Sequence, residues 1–522
     1  MHRHTATRAG SPRAPCSKRP SADDRHRRPS TSDGLCVLDF DRHSRSNSPN
    51  RRRRRGGSLT AVTDAARHAE REWSPWARVA MTRLRFRAGR RKVALVISGG
   101  GSQGSFEAGA LRFLYDHVEI EPFAICGNSV GAITAAKLAE GDDPGTGRRA
   151  VEDVERIWRS LRDNSDMWEM EPWLERLRTS ASWAAEVRDQ IRESGSAAAQ
   201  GRLVLRIVSN VVRRSPETDG AMQALRQALQ ADSLLSNAPV VEMCRRELHP
   251  ELIAKSGILL RLGAVSLESG ELRYVTENGS LVDRDNARVD GEVVSIVDGV
   301  IASSSIPLLF PPMVMNDEHY VDGGAREVLP LEMAFNHLGA EQIFAVSAGA
   351  LGVPPAGSFA DKGILEIARR VMTDIGPDET LRKELHPPRG WGRRVTVVAP
   401  GFDVHDALTV DPELLGVSLD YGWMRASDVL LGLDEKSVAL TTSIAKTRVR
   451  LRELRGPVTG LLTPDAEELT DEEVDAERSI LVPRLEEMVR QRREIGAPLP
   501  PNASGWTAPV PAPLPASPAG SA

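Results

Sequence analysis

Between about residues 92 and 432 the hydrophobic positions fall into short continuous runs separated by longer amphipathic stretches. Val93–Ser98 (VALVIS) stays apolar until its last residue, the pattern of a parallel strand buried on both faces. A glycine-rich turn follows, then a helical pattern from about Ser105 to His117. Phe123–Cys126 reads as a second short strand and Ala132–Ala139 as a small-residue helix. Leu259–Ser266 and Glu271–Thr276 alternate on either side of Glu268-Ser269-Gly270, which predicts a hairpin. Val294–Ser304 reads as a helix closed by Pro307. Gln342–Ser347 and Arg394–Ala399 read as two more buried strands around a helix near Ile364–Ile375. This alternation predicts a three-layer α/β/α fold with a mostly parallel central sheet.

The flanks have a different composition. Residues 1–60 hold 15 Lys and Arg against 5 Asp and Glu and end near the run Arg51–Arg55, whereas the whole chain of 522 residues has a net charge of −4. The basic excess therefore belongs to the tail. A segment so poor in apolar side chains cannot offset its ordering entropy, so 1–85 is expected to be a disordered basic tail. An anionic-membrane or nucleic-acid anchor is the sharper reading of the same charge. The solvated tail is preferred, and no specific nucleic-acid partner is predicted. The ordered pattern begins just after Met81, which makes Met81 an alternative start. Residues of about 142–250 read as a helical insert, 433–495 as a charged, solvated helical extension, and 496–522 as a Pro/Ala-rich disordered tail.

Hydrophobic residues make up 40% of the chain, enough for a sizeable core. The 4 cysteines, Cys16, Cys36, Cys126 and Cys244, show no metal-ligand spacing and fit a reducing compartment. No apolar run approaches the roughly 20 residues that span a bilayer. No apolar segment follows the early charges, so no secretory signal is visible. A cytoplasmic protein is expected, and any membrane contact would be peripheral.

Three motifs carry chemistry. Gly127-Asn128-Ser129-Val130-Gly131 fits G-x-S-x-G and lies between a predicted strand and helix, the setting of a nucleophile elbow. The flanking glycines relieve a tight turn. The Ser stands at a helix N-terminus, where free N–H groups favour negative charge. Gly99-Gly100-Gly101-Ser102-Gln103-Gly104 fits G-x-G-x-x-G. A dinucleotide site needs an acidic residue at the end of the next strand. Here that strand ends in Cys126-Gly127-Asn128-Ser129, without a carboxylate. The alternative is an oxyanion hole built from bare backbone N–H groups. The third motif, Asp322-Gly323-Gly324, is by itself either a turn or a serine's base whose carboxylate is partly desolvated.

Taken together, GGGSQG, GNSVG and VDGG in this order resemble the patatin-like phospholipases. Ala302–Pro307 followed by Phe310-Pro311-Pro312 is similar to that family's third conserved block. The resemblance spans roughly residues 92–432. It implies a Ser–Asp dyad acting on lipid acyl esters, with Ser129 as nucleophile and Asp322 as base. It implies an oxyanion hole at Gly99, Gly100, Gly101, Ser102, Gln103 and Gly104, with the N–H of Val130. It requires no metal or organic cofactor. One departure is Gln103, where the family usually carries Arg or Lys.

Two other readings stay open. In an α/β-hydrolase triad a His follows the acid, and His337, His386 and His405 qualify by order, His405 best by position. A module that binds lipid or a protein partner and has lost turnover is the non-enzymatic alternative. Trp158, Trp168, Trp173 and Trp183 read as helix core, with a lid or lipid-contacting surface as the sharper reading. Met167, Met170 and Leu174 would suit an apolar acyl pocket.

Overall fold

The first predicted strand illustrates how the fold is built. In β1 (Val93–Ile97) every residue is buried. Val93, Leu95 and Ile97 join one hydrophobic cluster, while Ala94 and Val96 join another. Side chains alternate across a strand, so the two clusters lie on opposite faces of the sheet. The same division runs through β2 (Ala124–Asn128) and β10 (Gln342–Val346).

The computed structural model describes residues 70–141, 144–179 and 231–506, with breaks at 354, 361, 363–366, 368–369, 389, 457 and 459–468. All of these lie in one unit, Gly57–Ala522. The short pair β3 (Glu169–Met170) and β4 (Leu235–Ser236) stands apart from the main sheet. The other strands are β5 (Leu259–Ser266), β6 (Leu272–Thr276), β7 (Leu281–Val282), β8 (Met313–Met315), β9 (Glu318–Asp322) and β11 (Val395–Val398). The main sheet runs β11-β10-β1-β2-β5-β6-β7, and β9 also pairs with β5 and carries β8. The contiguous strands β11 to β5 are parallel; the rest pair antiparallel.

On the larger cluster pack α1 (Pro75–Ala88), α2 (Gly104–Phe113), α3 (Val130–Leu138), α4 (Pro144–Ser160), α5 (Ile296–Ser304) and α6 (Pro412–Leu431). The second face is covered by residues 329–340 and the helix Gly376–Leu385. The predicted three-layer architecture and the hairpin around Glu268–Gly270 are both present.

Three boundaries differ from the sequence reading. Residues 70–85 are not tail: α1 runs through Met81, and Trp73, Ala77, Met81 and Ala88 are buried. Its remaining positions are rich in Arg, which masks the narrow apolar face. Residues 496–506 are not tail either. Ala497 and Ala503 are buried, and Trp506 donates to Asp420 at 3.0 Å. The extension of α7 (Glu435–Glu453) and α8 (Asp471–Glu494) is not simply solvated. Arg492 is completely buried and paired with Asp428 at 2.8 Å. Residues 1–69, 180–230, including Trp183, and 507–522 lie outside the described residues. Among the described residues no helix is long and apolar enough to cross a membrane.

Candidate active site

Ser129 sits between β2 and α3 with φ 56° and ψ −134°. A positive φ is unfavourable for a side-chain-bearing residue and stores about 1–3 kcal/mol of strain. The surroundings force it. A Cβ on Gly131 would lie 2.0 Å from the Ser98 carbonyl oxygen, and one on Gly99 would lie 2.4 Å from the Ser129 Cβ. Only glycine permits the elbow and the loop after β1 to approach so closely.

Asp322 ends β9, which pairs with β5 at Ala264. It is buried beside Ser129; burial raises the carboxyl to about 6, against the opposing pull of the Ser129 side chain and the Gly324 N–H. The Gly324 N–H donates to Asp322 Oδ1 at 2.7 Å. The end of α5 ties both residues down. The Ser129 N–H donates to the Ser303 carbonyl at 3.1 Å and to Ser303 Oγ at 3.1 Å, while the Asp322 N–H donates to the Ser305 carbonyl at 2.9 Å. The block Ala302–Pro307 thus braces the Ser129 turn and the Asp322 strand together.

Sequence reasoning gave Asn128 no such role. Asn128 is fully buried. Its Nδ2 donates to the Glu327 carbonyl at 2.6 Å, and its Oδ1 accepts from the Gly263 N–H at 3.2 Å. It therefore links the elbow to β5 and to the segment just after the turn Asp322-Gly323-Gly324.

The glycine loop reaches the same sheet edge, but its amides are not equivalent. The Ser102 N–H donates to the Ala407 carbonyl at 2.9 Å, and the Gln103 N–H to the Gly100 carbonyl at 3.1 Å. The Gly104 N–H turns back to Gly101 and Ser102. Three of the seven predicted donors are thereby committed. Among the described residues, the N–H groups of Gly99, Gly100, Gly101 and Val130 show no such backbone partner.

Gln103 Nε2 donates to the His405 carbonyl at 3.0 Å, so a neutral amide clamps the loop at the position where the resembled family usually has Arg or Lys. His405 is buried beside that loop, with Nδ1 3.3 Å from Ser102 Oγ and 2.9 Å from the Asp406 carbonyl. Burial pushes its pKa down and keeps it neutral. His386 is exposed and His337 half-buried. Among the described residues none of the three is a hydrogen-bond partner of Ser129 or Asp322. Beneath the loop Glu107 is fully buried, 3.1 Å from Ser98 Oγ, and burial raises its carboxyl well above the usual range.

A pocket opens over Ser129, lined by Gly101, Val130, Ile133, Met167, Trp168 and Phe310 among others. Trp168 is buried and donates to the Leu408 carbonyl at 2.9 Å. Trp158 is buried against Gly104, and Trp173 is half-buried. Met170 and Leu174 do not line this pocket. Among the described residues no group of His, Cys, Asp and Glu could hold a metal ion.

A patatin-like phospholipase family model matches residues 95–335. Residues 95–335 are a patatin-like phospholipase domain. The matched span holds Ser129, Asp322 and the glycine loop, and the sheet continues beyond it through β10 and β11. No curated protein matches the sequence. Among solved structures, VipD from Legionella pneumophila is similar at 17% identity, covering 80% of this chain and 78% of that one with a TM-score of 0.32. Human GIVD cytosolic phospholipase A2 is similar at 12% identity, covering 76% and 65% with a TM-score of 0.29. Full-length ExoU in complex with SpcU from Pseudomonas aeruginosa is similar at 17%, covering 80% and 70% with a TM-score of 0.18. Likeness at this level carries no functional weight, and the family assignment rests on the family model.

Proposed function

We propose that this patatin-like chain is a lipid acyl hydrolase of the phospholipase A or lysophospholipase type, working through Ser129 and Asp322. One observation carries the reading: α5 holds the strained Ser129 elbow and the buried Asp322 side by side through Ser303 and Ser305, and burial raises that carboxyl to about 6. A carboxylate near that value is ionised at neutral pH yet basic enough to accept a proton in a transition state. The Ser129 oxygen attacks the acyl carbonyl as Asp322 takes its proton. The N–H groups of Gly99, Gly100, Gly101 and Val130 stabilise the oxyanion, each such donor being worth about 10²–10³ in rate. Collapse breaks the ester C–O bond, and Asp322 returns the proton to the departing alcohol. Water then attacks the acyl-enzyme, giving its proton to Asp322 and releasing the fatty acid as Ser129 is reprotonated.

The test is hydrolysis of a p-nitrophenyl acyl ester and of lysophospholipid micelles by folded wild type, Ser129→Ala and Asp322→Asn. Both variants should lose activity, Asp322→Asn by about 10²–10⁴-fold. Full activity in Ser129→Ala overturns the reading. A wild type that sequesters fatty acid without turning over any ester supports a silent binding module instead.

A further inference from the structure

The carboxyl of Glu107 lies beneath the glycine loop and takes no part in the Ser129–Asp322 chemistry. It stands on the first turn of α2 and is fully buried. Its Oε1 is 3.1 Å from Ser98 Oγ, and among the described residues its Oε2 has no hydrogen-bond partner. Ser98, the residue between β1 and the loop, is also fully buried. Its Oγ meets three groups: the Gly99 carbonyl at 2.9 Å, Glu107 Oε1, and the Ala348 N–H, which donates to it at 2.9 Å.

A hydroxyl has one hydrogen to give and two lone pairs to receive with. The Ala348 N–H takes one lone pair. The Gly99 carbonyl can only accept, so it takes the hydrogen. The remaining contact is filled only if Glu107 brings a hydrogen of its own. All three contacts are therefore satisfied together by the neutral acid. An ionised Glu107 would compete with the Gly99 carbonyl for the single hydrogen, and would leave Oε2 charged and unpartnered in the interior, which is costly. Burial favours the same neutral form, against the pull of Ser98 and the Ala348 amide.

The relay thus runs from the Glu107 O–H to Ser98 and from the Ser98 O–H to the Gly99 carbonyl. That carbonyl belongs to the peptide joining Gly99 to Gly100. A peptide is planar and trans, so its N–H points away from its C=O. Pinning the carbonyl towards Ser98 turns the Gly100 N–H the other way, and among the described residues that N–H has no backbone partner. The peptide stands beside the nucleophile, because a Cβ on Gly99 would lie 3.1 Å from Ser129 Oγ. Between two glycines such a peptide turns freely, so its orientation has to be held from outside.

We propose that Glu107 and Ser98 are positioning residues that hold the Gly99–Gly100 peptide with its N–H facing the oxyanion formed at Ser129. This rests on Ser129 being the nucleophile.

The test compares hydrolysis of a p-nitrophenyl acyl ester with inhibition by an alkyl trifluoromethyl ketone and by the alcohol of the same chain. The Ser129 oxygen bonds to the ketone carbon, the carbonyl electron pair moves onto its oxygen as an oxyanion, and the hydroxyl proton passes to Asp322. The alcohol binds without forming an oxyanion. Glu107→Met keeps the length of the side chain but has no hydrogen to give. Its kcat should fall towards the loss of about 10²–10³-fold that one missing donor causes, with KM unchanged. Affinity for the ketone should fall with kcat, while affinity for the alcohol holds. Glu107→Gln, whose amide N–H replaces the acid hydrogen, should return kcat close to the wild-type value. Ser98→Ala breaks the same relay and should show the same fall, and joined to Glu107→Met it should be no slower than either alone. It also decides the matter if Glu107→Met does not fold. Wild-type kcat in folded Glu107→Met or Ser98→Ala, a Glu107→Gln as slow as Glu107→Met, or an alcohol affinity that falls with the ketone's overturns the relay and leaves Ser129 as nucleophile. Failure of the wild type to form the ketone adduct, or full activity in Ser129→Ala, overturns the nucleophile itself, and the relay's role with it.

Discussion

Replacing Asp322 by Asn should stabilise the protein at neutral pH while abolishing its turnover. Asp322 is an acid whose folded pKa, about 6, lies above its ordinary 3.8. Between those values the folded protein holds a proton that the unfolded chain has released. The carboxyl's favourable contribution is therefore complete below about 3.8 and is lost as pH rises through about 6. A gap of that size, at about 1.4 kcal/mol per unit, makes ionised Asp322 cost about 3 kcal/mol at neutral pH. The neutral amide of the Asp322→Asn variant carries no such cost, and its side-chain oxygen can still accept the Gly324 N–H. Any constant change in hydrogen bonding cancels when the two proteins are compared across pH. Urea unfolding followed by tryptophan fluorescence at about pH 4 and about pH 8 should show the variant's relative stability rising by about 2 kcal/mol. A difference that stays flat, or that shrinks as pH rises, refutes the assignment of Asp322 as a desolvated acid. The pairing of lost activity with gained stability is what a strained, functional site predicts.

Three further substitutions probe the supports of the site. Asn128→Ala leaves the Gly263 N–H and the Glu327 carbonyl unpaired; urea unfolding should register a loss of about 1–3 kcal/mol, and steady-state kinetics a fall in kcat larger than any change in KM. Gln103→Ala removes the clamp on the His405 carbonyl and should cost about 1 kcal/mol, with a fall in kcat that Gln103→Glu, which lacks the donor, deepens. Arg492→Ala leaves Asp428 buried without its main partner and should cost about 3–5 kcal/mol in urea unfolding. Joining it to Asp428→Leu should recover much of that loss.

The strands were legible because their burial is two-sided. In Val93–Ile97 each residue meets one of two cores, so the apolar run is continuous. The elbow and the Asp322 turn were legible as motifs because glycine stands at fixed offsets from Ser129 and Asp322. Long-range partners leave no such trace. Nothing near Ser102 announces that its N–H is taken by the Ala407 carbonyl, so the predicted oxyanion donors were too many. The bracing of Ser129 and Asp322 by Ser303 and Ser305 likewise appears only once α5 is docked beside both strands. In α1 the core face is carried largely by Ala77, Met81 and Ala88 among arginines, too weak a pattern to separate helix from basic tail. Arg492 reads as one more surface charge until α6 brings Asp428 against it from 64 residues away.

The most direct test of the Ser129–Asp322 pairing is the rate at which a fluorophosphonate forms its Ser129 adduct in wild type, Asp322→Asn and His405→Ala. The pairing predicts that Asp322→Asn slows adduct formation by about 10²–10⁴-fold, while His405→Ala, which lies behind the glycine loop, stays within about 10-fold of wild type. Normal labelling in Asp322→Asn together with a silent His405→Ala would contradict it.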